Sequence, residues 1–160
     1  MIARCIAALA IALTFAVPSG AQEARAADLT IKRAWSRVAP PGAPVLGGYL
    51  SITNEGGEPD RLLAVSSPIS DNVQIHSSAI KDGVATMRQV TDGVAIPSGE
   101  TVEFEAGELH LMLLNPKSRP GEGEKIPLTL TFEKAGVVDV ELVVARSPPE
   151  VANEHQDHMQ

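Results

Sequence analysis

A single cysteine stands in these 160 residues, Cys5, and it falls in the first apolar stretch of the chain. Past that point no disulfide can form, and thiol chemistry is excluded with it. C-x-x-C redox exchange, a cysteine nucleophile, c-type haem attachment, thiolate zinc and the blue-copper site all need a cysteine sulfur. Any soft-metal ligand must therefore be methionine. Aromatic residues are nearly as scarce, one Trp, one Tyr and three Phe, so Trp35 and Tyr49 are read as large core or framework residues. Basic residues are short too: 13 Lys and Arg against 20 Asp and Glu give a net charge of −7, which argues against a nucleic-acid partner.

The apolar run from Cys5 to Val17 holds 13 residues, too few for a bilayer core that needs about 20. It follows Met1-Ile2-Ala3-Arg4 and precedes Pro18-Ser19-Gly20 and Ala24-Arg25-Ala26. A positive start, a short apolar middle and an A-x-A site make a secretory signal peptide over residues 1–26, with export to the periplasm. The cut is placed near Ala26, with Ala21 and Ala27 as alternatives. Removing that segment leaves 11 basic residues (13 less Arg4 and Arg25) against 19 acidic (20 less Glu23), a net charge of −8. Residues 27–147 have room for one domain around one core, and a monomer is expected. Residues 148–160, opening on Pro148-Pro149, are too polar to pack and read as a disordered tail.

No segment of the domain keeps apolar residues at helical spacing, and Gly or Pro recurs too often for a long helix. Turn signals fall at Pro40-Pro41-Gly42, Asn54-Glu55-Gly56-Gly57, Asp82-Gly83, Asp92-Gly93, Pro97-Ser98-Gly99, Ala106-Gly107 and Ala135-Gly136. Strands between turns at that spacing predict an all-β sandwich. Alternation tells which side of each strand faces the core. Leu128, Leu130 and Phe132 point one way, Val138, Val140 and Leu142 likewise. Glu103 and Glu105, alternating with Val102 and Phe104, are expected to be solvated face residues. Asn115 to Lys125, with two prolines and two glycines, reads as a surface loop.

The same alternation isolates the candidate chemistry. In Leu109-His110-Leu111-Met112-Leu113 the leucines share one face, and His110 and Met112 share the other. Alone, that pair fits a packed methionine beside a surface histidine better than a metal site. A second pair lies at His76 and Met87, on either side of Asp82-Gly83, the preferred dipeptide of a two-residue type I′ turn. That turn sets Lys81 opposite Val84, Ser78 opposite Met87 and His76 opposite Gln89. Met87 then lies diagonal to His76 on one face, with Cα atoms about 7–8 Å apart. Two neutral imidazoles and two thioethers suit Cu(I) better than Zn(II), Ca(II) or Mg(II), which take harder or charged donors. Without a carboxylate or thiol beside them they favour binding over catalysis, so no enzyme is expected.

These residues resemble the PCu(A)C family of periplasmic copper chaperones, whose pattern runs His, about ten residues, Met, about twenty more, His-x-Met. Ten residues separate His76 from Met87 here, and twenty-two precede His110. The segment Ala34-Trp35-Ser36-Arg37-Val38-Ala39-Pro40-Pro41-Gly42, then Gly48-Tyr49, Asn54 and Ile96-Pro97-Ser98-Gly99, is also similar to the family. The resemblance spans Leu29 to Val144. It implies a cupredoxin-like, Ig-like Greek-key β-sandwich, and delivery of Cu(I) to the copper-bearing subunit of a cytochrome oxidase or to a thiol-bearing assembly factor. The chain departs from the family at Ser77, where many members carry a second Met, and in a gap before His110 one residue longer than usual. His155, His158 and Met159 in the tail form a possible secondary metal site, able to take Cu(II) as well; the same segment also reads as plain solvated linker. The competing expectation for the whole chain is a metal-free periplasmic Ig-like interaction module. What separates the two is whether His76, Met87, His110 and Met112 converge on one exposed patch.

Overall fold

The computed structural model describes residues 23–149, and within them the secondary structure is all strand. In chain order the strands are β1 (Ala24–Ala26), β2 (Leu29–Arg37), β3 (Val45–Asn54), β4 (Asp60–Ser66), β5 (Asn72–Lys81), β6 (Val84–Gln89), β7 (Val94–Ile96), β8 (Thr101–Phe104), β9 (Leu109–Leu114), β10 (Lys125–Phe132) and β11 (Val137–Ala145). Hydrogen bonds link them in the order β6-β5-β9-β3-β2-β11-β10-β4-β7, with β1 added to β2 and β8 to β3. All the pairings are antiparallel except β11 with β2. Among the described residues no helix is long and apolar enough to cross a membrane.

Core and surface follow the period of two. Leu128 pairs with Val140 and Leu130 with Val138, and all four are buried along with Phe132 and Leu142. Between them Thr129 turns outward and donates to Asp139 at 2.7 Å. Burying one such leucine stabilises the fold by about 2 kcal/mol, so this pair of strands alone supplies much of the interior. A buried carboxylate holds the β10–β11 turn against the start of β4. Asp60, 8% exposed, accepts hydrogen bonds from the backbone N–H groups of Arg61, Lys134 and Ala135 at 2.7, 2.9 and 2.9 Å. Burial pushes its carboxyl up, but those N–H groups and the Lys134 charge outweigh it and hold it below the ordinary carboxylate range.

A break in the alternation shapes the β2–β3 pairing. The β2–β3 register slips by one residue between Lys32 and Trp35, where Arg33 takes a φ of +52°. A one-residue slip moves every following side chain to the opposite face, so Ala34 and Ser36 turn inward and Trp35, buried at 6% exposure as a core or framework residue should be, packs on the other face. Trp35 consequently packs on Tyr49, ring centroids 4.9 Å apart, outside the central core cluster. Glu103, read as a solvated face residue, ion-pairs with Arg33 at that bulge. The segment expected to be removed, residues 1–26, also includes β1, which pairs with β2 from Ala24↔Ile31 to Ala26↔Leu29.

Candidate metal centre

β9 lies between β5 and β3, and its leucines decide what is left for the site. Leu111 and Leu113 are fully buried, which leaves His110 and Met112 on the outer face. On β5 Ile75 turns inward at 5% exposure, so Gln74, His76 and Ser78 face out beside them. The Asp82-Gly83 turn takes φ values of +52° and +76°, both positive as a type I′ turn requires. It sets Lys81↔Val84, Ser78↔Met87 and His76↔Gln89, the register the dipeptide predicts.

His76 and His110 are direct cross-strand partners, their ring centroids 6.0 Å apart at 45°. Metal–imidazole bonds of about 2.0 Å put two rings sharing one ion roughly 5–6.5 Å apart, and this pair lies in that range. Met112 stands opposite Gln74, hence diagonal to His76. Met87 occupies the other diagonal, opposite Ser78 on β6. The patch thus holds His76, His110 and Met112 on adjacent strands. Met87 is the outlier, at the sheet edge and 55% exposed, and joining the others takes the inward coil that two-stranded ribbons make readily.

The imidazoles are held differently. His110 is buried, and its Nδ1 donates to the Glu108 carbonyl at 2.9 Å. His76 Nε2 donates to Gln74 Oε1 at 2.8 Å, while its Nδ1 is buried with no partner. Burial, and secondarily the neighbouring His110, keep His76 below the ordinary histidine value, so it is neutral near pH 7, the form that ligates. A buried lone pair without a donor beside a second imidazole and a thioether fits a soft cation. Elsewhere among the described residues no three His, Cys, Asp or Glu side chains gather into a harder site.

The sequence reading left two residues on this face unassigned. Gln74 was legible as the residue two before His76 on the same side of the strand. Gly47 pairs with Met112, and a Cβ there would lie 2.8 Å from the Tyr49 hydroxyl. The tyrosine is therefore laid back over the glycine, and Trp35 packs against its ring. His155, His158 and Met159 lie outside the described residues.

Residues 29–144 match the family described as "Putative lipoprotein LpqE-like". The chain belongs to that LpqE-like family. A relative from Leifsonia xyli subsp. xyli, "Putative lipoprotein Lxx21020", is 27% identical over 147 residues, 89% of this chain and 87% of its own length. Among solved structures, the copper-bound PCuAC domain from PmoF2 superposes with a TM-score of 0.68 at 25% identity, covering 79% of this chain and 99% of that domain. The apo PmoF2 PCuAC domain gives 0.67 at 26% identity, over 81% and 100%. DR1885 from Deinococcus radiodurans, solved in solution with Cu(I), shares the fold at a TM-score of 0.60 and 22% identity, over 81% and 84%. This LpqE-like chain is thus a cupredoxin-like, Ig-like β-sandwich of the PCu(A)C type.

Proposed function

We propose that this domain is a copper carrier: it binds one Cu(I) through His76, His110, Met112 and Met87 and passes it to another protein without catalysing a reaction. The observation that carries the reading is the pair of facing imidazoles, one with an orphaned buried nitrogen, next to a thioether on the same exposed face. The copper-bound state of the similar PmoF2 domain supports it. Thioether sulfur is soft and neutral, which favours Cu(I) over Cu(II).

The recipient we favour is the copper-bearing subunit of a cytochrome oxidase, or a thiol-bearing assembly factor for it, reached in the periplasm after export. A thiolate outcompetes a thioether for Cu(I), and Met87, the most exposed ligand, yields first. β1 pairing with β2 favours signal cleavage at Ala21, which keeps β1 in the mature domain. The tail residues His155, His158 and Met159 form a secondary site at most, one that can take Cu(II) as well as Cu(I), so deleting residues 150–160 leaves one Cu(I) bound.

Anaerobic titration of the mature domain against a competing Cu(I) chelator tests the reading. One tightly held Cu(I) and weak Cu(II) binding are expected, with the Met112→Ala variant losing Cu(I) more than Cu(II) and His110→Ala losing both. No uptake, or unchanged binding after both replacements together, overturns it.

A further inference from the structure

We propose that Gln74 is the positioning residue of this site, and that the two histidines hold the ion through different ring nitrogens, Nδ1 of His76 and Nε2 of His110. The inference rests on the copper reading above and extends it to a residue that is not itself a ligand.

A neutral imidazole carries one N–H, and whatever accepts from that N–H decides which nitrogen is left to ligate. Each histidine here is oriented by an acceptor two residues earlier in the chain. For His110 the acceptor is the Glu108 backbone carbonyl, which takes the Nδ1 proton and leaves Nε2 bare. For His76 it is the Gln74 side-chain oxygen, which takes the Nε2 proton. The bare nitrogen of His76 is then Nδ1, the atom that is buried and has no partner. Turning the ring over would break the Gln74 bond and leave the amide oxygen of that half-buried residue without its donor. Gln74 also stands opposite Met112 in the β5–β9 register, so the residue that orients the imidazole is the cross-strand partner of the residue that carries the thioether. This is the outer-shell arrangement by which ligating histidines are held in one tautomer. The Glu108 carbonyl cannot be removed by mutation, whereas Gln74 can.

The test reads the proton position first, without metal. Long-range 15N–1H correlation spectra of the apo domain should show His76 protonated at Nε2 and His110 at Nδ1. In the Gln74→Leu variant His76 should become a mixture of tautomers, and in Gln74→Glu, which keeps an acceptor oxygen, it should return to Nε2–H. On anaerobic Cu(I) addition the resonances that move should be His76 Nδ1 and His110 Nε2, and Gln74→Leu should weaken Cu(I) roughly 10- to 100-fold. Unfolded variants are recognised by loss of the dispersed β-sheet spectrum, and Gln74→Asn then replaces Gln74→Leu. An apo His76 protonated at Nδ1, a Cu(I) shift at His76 Nε2, or unchanged Cu(I) affinity in Gln74→Leu overturns the proposal. Failure of the wild-type domain to bind Cu(I) sinks the carrier reading instead, and the apo proton position still decides whether Gln74 orients His76.

Discussion

Replacing Gly83 by valine separates what the β5–β6 hairpin does for the site from what it does for the fold. Gly83 has a φ of +76° and follows Asp82 at +52°. An L-residue held in the left-handed region costs about 1–2 kcal/mol, and a β-branched one at least that. Nothing in β6 can absorb this strain by packing, because all six of its residues are exposed. Ile80 and Val84 beside the turn are 79% and 62% exposed, and the central core takes no residue from 77 to 89. The strain is therefore relieved by fraying of the hairpin end, while β5 stays paired to β9 from Asn72 to Ser77. Hydrogen exchange at the cross-strand amides of residues 78–87 should accelerate about 5- to 30-fold, the ratio that 1–2 kcal/mol represents. The melting temperature should move by no more than about 2 °C. Because fraying releases Met87 and spares His76, His110 and Met112, Cu(I) should weaken no further than in Met87→Ala. A fall in melting temperature of more than about 5 °C, or faster exchange at Leu111 and Leu113, would refute the reasoning by showing that the hairpin is part of the core.

Asp60→Ala removes the acceptor of three backbone N–H groups and should cost about 2–4 kcal/mol in denaturant unfolding; a loss under about 1 kcal/mol would mean water replaces them. Since Asp60 titrates below its ordinary value when folded, its stabilisation should be lost as pH falls from the ordinary carboxylate range through that lower value. His76 is also depressed in the fold, so the unfolded chain takes up its proton first: apo stability should drop as pH falls through about 6.5 and level off below the folded value. His76→Asn should remove that part of the profile. Gly48→Ala places a Cβ 2.9 Å from a Leu142 methyl and 3.2 Å from Leu111 Cβ, and overpacking of that kind should lower stability by about 1–3 kcal/mol, read by thermal melting.

What alternation and turn chemistry govern was legible in the sequence. The inward sets of β10 and β11, the outward pair His110 and Met112, and the Asp82-Gly83 register each depend on local geometry, and each appears in the structure as read. What depends on a break in alternation was not legible. Ile31 and Trp35 share a parity that would place both inside; the bulge at Arg33 cancels it, and no Gly or Pro marks that position. Which strands lie side by side is likewise invisible in local pattern. The β5–β9 pairing that sets His76 opposite His110 joins residues 34 apart in sequence, and only the family resemblance put them in one site beforehand. Gln74 could have been found by extending to β5 the parity argument already applied to β9.

On the proposed site, the ligands form a gradient from the sheet interior to its edge. His110 is 9% exposed, His76 and Met112 are half-buried, and Met87 is 55% exposed on a strand that, among the described residues, has a neighbour on one side only. The three inner positions are set by the ladder and by the leucines packed beneath it, so under the proposal their donor set would select for a soft cation before any partner arrives. The outermost ligand is attached to a hairpin whose opening disturbs little else. In the proposed transfer a recipient thiolate would enter where Met87 leaves, and copper would change hands through a shared intermediate without ever being free. Four ligands fixed equally deep in the sheet would hold the ion at least as tightly, but they would leave no side open for a second protein's ligand to attack.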